Sequence, residues 1–238
     1  MLEIRNLTKR YKGGKLAVDN LSLTVESGDI FAFIGHNGAG KSTTIKSVVG
    51  ILEFDSGDVL IDGCSIKTQP LECKKKLAYI PDNPDIYEHM TGIQYLNFVA
   101  DVFGVDSAVR TAKIDDYATR FEIKNNLGDM IGSYSHGMKQ KLVLISAFLH
   151  SPKLLVMDEP FVGLDPKAGF EVKQIMREMC SDGTAIFFST HVLEVAEKLC
   201  NKVAIIKDGK LVVCGDIESI VAGGSLESVF LNSEEVQS

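Results

Sequence analysis

The 238-residue chain has no apolar run approaching the roughly 18 residues that a membrane span needs, so no transmembrane helix is expected. Met1 to Thr8 lack a basic segment followed by an apolar run, so no signal peptide is expected either. Cysteines are few and scattered. Cys64, Cys73, Cys180, Cys200 and Cys214 are odd in number and form no C-x-x-C, which disfavours a disulfide frame or a zinc site and suits the reducing cytosol. Positive charge is in deficit. With 25 Lys and Arg against 32 Asp and Glu, the net charge is −7 and the pI about 5.3, so no nucleic-acid partner is expected. Low-complexity segments, linkers and internal repeats are also missing. The 45% hydrophobic content supports a sizeable core, in one or two domains by length alone.

What is present is Gly35-His36-Asn37-Gly38-Ala39-Gly40-Lys41-Ser42-Thr43. It fits G-x-x-x-x-G-K-[ST], with Gly35, Gly40, Lys41 and Ser42 at the fixed places. Ile30 to Ile34 before it reads as a buried parallel strand. After it, Ile45, Val48, Val49 and Leu52 fall on one helix face. Glycines between a strand and a helix let the backbone turn tightly and bring N–H groups close to an anion. The helix N-terminus adds partial positive charge and unpaired donors. Lys41 is expected to reach the β- and γ-phosphates of a nucleotide, and the Ser42 hydroxyl to ligate Mg²⁺.

Spacing by two at Leu2 and Ile4, and at Leu21, Leu23 and Val25, predicts half-exposed strands with a turn at Gly13-Gly14. A break is expected at Asp55-Ser56-Gly57, then strands at Asp58 to Ile61 and at Leu77 to Ile80, the latter stopped by Pro81. From Pro84 to about Pro152 the pattern turns helical. Thr91 and Gln94 have capping-box spacing, and Tyr95, Phe98, Val99, Val102 and Phe103 make an amphipathic stripe. A second helix is expected over Ile114 to Phe121. A third starts near His136, with Met138, Leu142, Ile145 and Leu149 on one face. Strands at Leu154 to Met157 and Ala185 to Phe188 then alternate with helices through Val172, Ile175, Met176 and Met179, and through Val192, Val195, Ala196 and Leu199. Lys207-Asp208-Gly209-Lys210 predicts a hairpin. The expected fold is α/β: a nucleotide-binding core with a mostly parallel sheet, an N-terminal antiparallel part, and an inserted helical subdomain. Residues 1–83 and 153–238 form the core, and 84–152 the insertion. Ligand is expected at the carboxyl ends of the strands.

Asp158 and Glu159 follow an apolar strand. Adjacent carboxylates repel unless a cation or separate roles relieve them. The natural division sends Asp158 toward Mg²⁺ and leaves Glu159 as general base for an attacking water.

At this point the chain resembles, over nearly its whole length, a nucleotide-binding subunit of an ATP-binding cassette (ABC) transporter. Tyr134-Ser135-His136-Gly137-Met138 resembles the family's L-S-G-G-Q signature, with His136 in place of a glycine and Met138 in place of the glutamine. Gly163-Leu164-Asp165-Pro166 resembles the loop after the catalytic Glu, which places Asp165 at a dimer seam. His191 falls where the family has its switch histidine, and Tyr11 where an aromatic ring stacks on adenine. Asp82 stands where the lid usually carries Gln. It is shorter and charged, and could meet Mg²⁺ or its water. The resemblance implies ATP and Mg²⁺ as ligands, ATP hydrolysis, and a head-to-tail dimer in which Ser135, His136, Gly137 and Met138 act on the partner's nucleotide. It also implies membrane-spanning subunits on other chains, and a place on the cytoplasmic face of the membrane.

Two soluble readings compete. Translation-type ABC ATPases resemble tandem cassettes, and this chain has one. DNA-maintenance members carry a long coiled coil, whereas 94 positions without sustained heptads separate Lys41 from Ser135. A phosphate-loop kinase would leave the signature unexplained. Leu226 to Leu231 resembles a tail common in bacterial exporter cassettes, and the chain ends soon after, which favours export over import. Ile86, Tyr87 and Met90, in the segment from Asp82 to Met90, suit a docking surface for the membrane subunit.

Overall fold

The computed structural model describes residues 1–222 and 224–235. In chain order its elements are β1 (Leu2–Arg10), β2 (Leu16–Val25), β3 (Ile30–Ile34), α1 (Lys41–Val48), β4 (Ser56–Ile61), β5 (Cys64–Ser65), α2 (Pro70–Lys76) and β6 (Leu77–Ile80). They continue with α3 (Gly92–Val102), α4 (Ser107–Arg120), α5 (His136–Phe148), β7 (Leu154–Asp158), α6 (Pro166–Ser181), β8 (Ala185–Thr190), α7 (Leu193–Leu199), β9 (Lys202–Lys207), β10 (Lys210–Asp216), α8 (Ile217–Ile220) and α9 (Leu226–Glu235).

Two sheets form. The smaller is antiparallel in the order β2-β1-β4-β5. The larger runs β10-β9-β3-β8-β7-β6, parallel throughout except for β10 at its edge. Crossover helices cover both of its faces, so β3, β7 and β8 are buried at every position, as continuous apolar strands should be. Alternation divides their side chains. Phe31, Phe33, Leu154, Val156, Ala185 and Phe187 pack with Ile45 and Val48 of α1 and with the antiparallel sheet. Ala32, Ile34, Leu155, Met157, Ile186 and Phe188 face the core that includes α5 and α6.

Register decides what meets at the carboxyl ends. Ile34 pairs with Thr190, Asp158 with Ser189 and Ile80 with Met157. The Gly35 loop, Asp158-Glu159, His191 and Asp82 therefore emerge from one end of the sheet. Between β6 and β7 the chain makes the expected helices. The capping box at Thr91 and Gln94 is formed, and Ser135 caps α5 by accepting from Met138 N at 3.3 Å.

Several expectations need correction. The break at Asp55 to Gly57 ends earlier, because β4 begins at Ser56. Gly57 holds φ +90 with no room for a Cβ, which would sit 2.4 Å from the carbonyls of Arg5 and Asn6. The second inserted helix starts at Ser107, where Asp106 caps it, rather than at Ile114. On α3 the buried positions are Gly92, Leu96 and Ala100, whereas Phe98, Phe103 and Val102 (65% exposed) point outward. Three helices, α2, α8 and α9, were not expected at all. Among the described residues no helix is long and apolar enough to cross a membrane.

Candidate active site

The loop before α1 works because two of its residues have no side chain. A Cβ on Gly40 would lie 2.4 Å from the Ala17 carbonyl, and Gly40 holds φ +112. A Cβ on Gly35 would lie 2.5 Å from the Ile206 carbonyl. No side chain caps α1, so its first-turn amides are left for an anion. Lys41 is buried, and its ammonium donates to the carbonyls of Gly35 at 2.6 Å and His36 at 3.3 Å.

Across the sheet end, Asp158 is fully buried. Its Oδ1 accepts from Ser189 Oγ at 2.5 Å, and its Oδ2 has no hydrogen-bond partner among the described residues. Glu159 adopts φ +49, a left-handed conformation that is uncommon for glutamate. Its N–H donates to Ser189 Oγ at 3.0 Å. Its carboxylate lies 3.0 Å from His191 Nδ1 and 3.8 Å from Lys41 Nζ, with 17% of the side chain exposed. Ser189 thus orients both acidic residues. Sequence reading passed over it, because its place beside Asp158 depends on β7 and β8 becoming parallel neighbours.

Tyr11, His36, Asn37, Gly38, Gly40, Lys41, Ser42, Thr43, Asp82, Asp158 and Glu159 line one cleft of about 280 Å³. Ala39 is buried behind it. Tyr11 lies at its mouth with Oη 3.2 Å from Thr43 Oγ1, and Lys9 Nζ sits 5.7 Å from its ring centre. Asp82 reaches the rim of the cleft, near enough for its charge to act on the Tyr79 phenol. Burial first, then Asp158 and Asp82, push that phenol well above its ordinary value.

Ser135, His136, Gly137 and Met138 do not line this cleft. They start α5 and pack against the loop that follows Glu159. A Cβ on Gly163 would meet the His136 ring at 2.8 Å, and one on Gly137 would lie 3.3 Å from the Gly163 carbonyl. Lys141 binds Asp165 at 2.7 Å, and Asp165 caps α6 by accepting from Ala168 N at 2.8 Å. The Lys141 contact holds the Asp165 carboxyl below the usual carboxylate range. The signature turn and the loop after Glu159 are therefore packed as one unit.

The family model described as ABC transporter matches residues 18–162, more than half of the chain and the whole stretch from before the phosphate loop to beyond Glu159. The chain belongs to the ABC transporter family. It is the ATP-binding, ATP-hydrolysing subunit type of that family. The ABC transporter ATP-binding protein YhcH of Bacillus subtilis (strain 168) is 36% identical over 221 residues, covering 92% of this chain and 70% of its own length. EcsA of the same organism, an ABC-type transporter ATP-binding protein, is 31% identical and covers 92% of this chain and 89% of its own. A solved ATP-binding subunit of an ABC transporter superposes at TM-score 0.95 and 32% identity, covering 99% of this chain and 100% of its own. The dimeric cassette MJ0796, bound to ADP and Pi after hydrolysis, shares the fold at TM-score 0.83 and 20% identity over 91% of this chain and 99% of its own.

The site suits a hard cation. Asp158 Oδ2 is a buried oxygen without a protein donor, Ser42 lines the same cleft, and the described residues hold no cluster of three or more acidic, His or Cys side chains that would form an all-protein cage. Such a donor set suits Mg²⁺, which keeps waters and phosphate oxygens in its shell.

Proposed function

We propose that this ABC ATPase subunit binds Mg²⁺-ATP in the cleft, hydrolyses it with Glu159, and drives membrane-spanning subunits carried on other chains. The observation that carries the reading is the meeting of Lys41, Asp158, Glu159 and His191 at one end of the sheet. The loop amides and Lys41 hold the β- and γ-phosphates, and Tyr11 receives the adenine. Ser42 and Asp158 hold the cation, with Asp82 at the rim. The bound cation neutralises charge on the phosphate oxygens. Glu159 takes the proton of the attacking water. His191 orients Glu159 through their 3.0 Å contact and faces the γ-phosphate.

The seat of Ser135 to Met138 outside the cleft supports a composite site. Their helix N-terminus is a second anion site that serves the nucleotide of another cassette, with Asp165 at the seam. Residues 84–152 act as a signature subdomain against a core of 1–83 and 153–238. Direction is read as export, from the Leu226 to Leu231 tail, which here is helical. The chain then works from the cytoplasmic face.

For the membrane partner, a groove of about 350 Å³ runs along the sheet edge between Ile51, Tyr79, Tyr95, Val99, Phe103 and His150. Tyr87 is 61% exposed, with its ring edge-on to Phe98 at 6.0 Å, while Ile86 and Met90 are half-buried against the core. An exposed aromatic pair beside an apolar groove suits an interface core. The test is Tyr87→Glu. The isolated chain should keep its melting temperature and ATPase rate, and the complex with its native membrane subunit should dissociate or lose coupled transport. Unfolding of the isolated chain, or undiminished transport, would remove this surface.

A further inference from the structure

A donor and an acceptor lie at the edge of the large sheet, and no bond uses either. Tyr79 Oη and Asp158 Oδ2 are both buried, and neither has a hydrogen-bond partner among the described residues. They share a face. β6 runs parallel to β7 with Tyr79 beside Val156, and Asp158 comes two residues after Val156, so its side chain returns to the same side. Ser189 lies on that side too, beside Asp158 in the next strand. Two residues along a strand span roughly 6.6 Å, which a tyrosine leaning along the strand can reach. The carboxylates of Asp158 and Asp82 are the charges acting on the phenol, which remains protonated and able to donate.

An unbonded buried hydroxyl works against folding, and phenylalanine would fill the same space without that penalty. A hydroxyl kept there has a use in another state of the molecule. The first oxygen of Asp158 is already held by Ser189, and the second has no hydrogen-bond partner among the described residues.

We propose that Tyr79 is a positioning residue for the metal site: in the chain loaded with Mg²⁺ and ATP, its hydroxyl donates to Asp158 Oδ2. Asp158 is then held at both oxygens, by Ser189 and by Tyr79. Its remaining lone pairs are aimed at the cation's shell rather than free to swing. The hydroxyl keeps its proton throughout and touches neither nucleotide nor water. This inference rests on the assignment of Asp158 to the cation.

The experiment is a Mn²⁺ titration of the ATP-loaded full chain, followed by electron paramagnetic resonance, for wild type, Tyr79→Phe and Asp158→Asn. In Tyr79→Phe the Mn²⁺ dissociation constant should rise about tenfold, the weight of one hydrogen bond to a charged group. ATP binding without metal should be unchanged, and the melting temperature of the nucleotide-free chain should hold or rise. Unchanged Mn²⁺ affinity in Tyr79→Phe with weakened affinity in Asp158→Asn overturns the role of Tyr79 alone. Unchanged affinity in both overturns the assignment of Asp158. A lower melting temperature of nucleotide-free Tyr79→Phe also overturns the proposal, because the hydroxyl would then be bonded before any ligand arrives.

Discussion

Glu159 carries a local conflict between backbone and function. A left-handed residue other than glycine opposes folding by roughly 1–2 kcal/mol. Three contacts hold it there: its N–H to Ser189, and its carboxylate to His191 and Lys41. Backbone strain sustained by surrounding bonds clusters at functional sites. The left-handed turn leaves the Glu159 carboxylate 3.8 Å from Lys41 Nζ of the phosphate loop, a position that suits the general base proposed above. Replacing Glu159 by Gln preserves shape and removes the basic oxygen. Steady-state phosphate release should slow by roughly 10²–10⁴, the usual weight of a positioned base, while ATP affinity stays within a few-fold of wild type. Full turnover in Glu159→Gln would remove it from the role. Lys41, Ser42, Asp158 and Glu159 were legible in the sequence because their spacing is fixed by a short loop or a strand end. Ser189 and the left-handed Glu159 were not, since both depend on which strands become neighbours.

Among the elements, strands were read well, because continuous burial leaves apolar runs and β3, β7 and β8 are buried at every position. Helix faces were read less well. The stripe Tyr95, Phe98, Val99, Val102 and Phe103 has helical period, but only Tyr95 of it packs against the core beside the buried Leu96 and Ala100, while Phe98, Val102 and Phe103 are exposed. Periodicity finds an apolar face without saying what covers it, and part of this one lines the groove. α2 is a seven-residue helix opened by Pro70 and too short for a periodic signal. The end of α5 is tied to its neighbours by His150, stacked on Phe103 at 3.7 Å with Nε2 3.3 Å from the Leu77 carbonyl. Burial pushes the His150 pKa below its ordinary 6.5. The folded chain therefore takes up this proton less readily than the unfolded chain. The stability linked to His150 is complete above about pH 6.5 and declines as pH falls from there toward the lowered folded value. Thermal unfolding at pH 7.5 and 5.5 should show an acid-induced drop in melting temperature that is smaller in His150→Phe, which keeps the stack. An equal drop in both would place the acid sensitivity elsewhere.

For the whole molecule, the proposed function gives the chain half of each of two sites. Its phosphate loop, Asp158 and Glu159 line one cleft, and Ser135 to Met138 lie outside it. His136 rests against Gly163, and Lys141 holds Asp165, so the loop after Glu159 touches the signature turn of the same chain. Two copies of this chain, each of net charge −7, would repel at long range, so the proposed dimer needs a local attraction, the role proposed for Mg²⁺-ATP between a phosphate loop and a signature helix. The sequence conveyed this arrangement only through family resemblance, since no periodicity or spacing within one chain encodes what a second chain covers. The most direct measurement is the mass of Glu159→Gln by multi-angle light scattering, with and without Mg²⁺-ATP, alone and combined with Ser135→Arg. The account predicts a dimer only with ATP, and its return to monomer when Ser135→Arg is added. A monomer at high concentration with ATP present, or a dimer that survives Ser135→Arg, would contradict it.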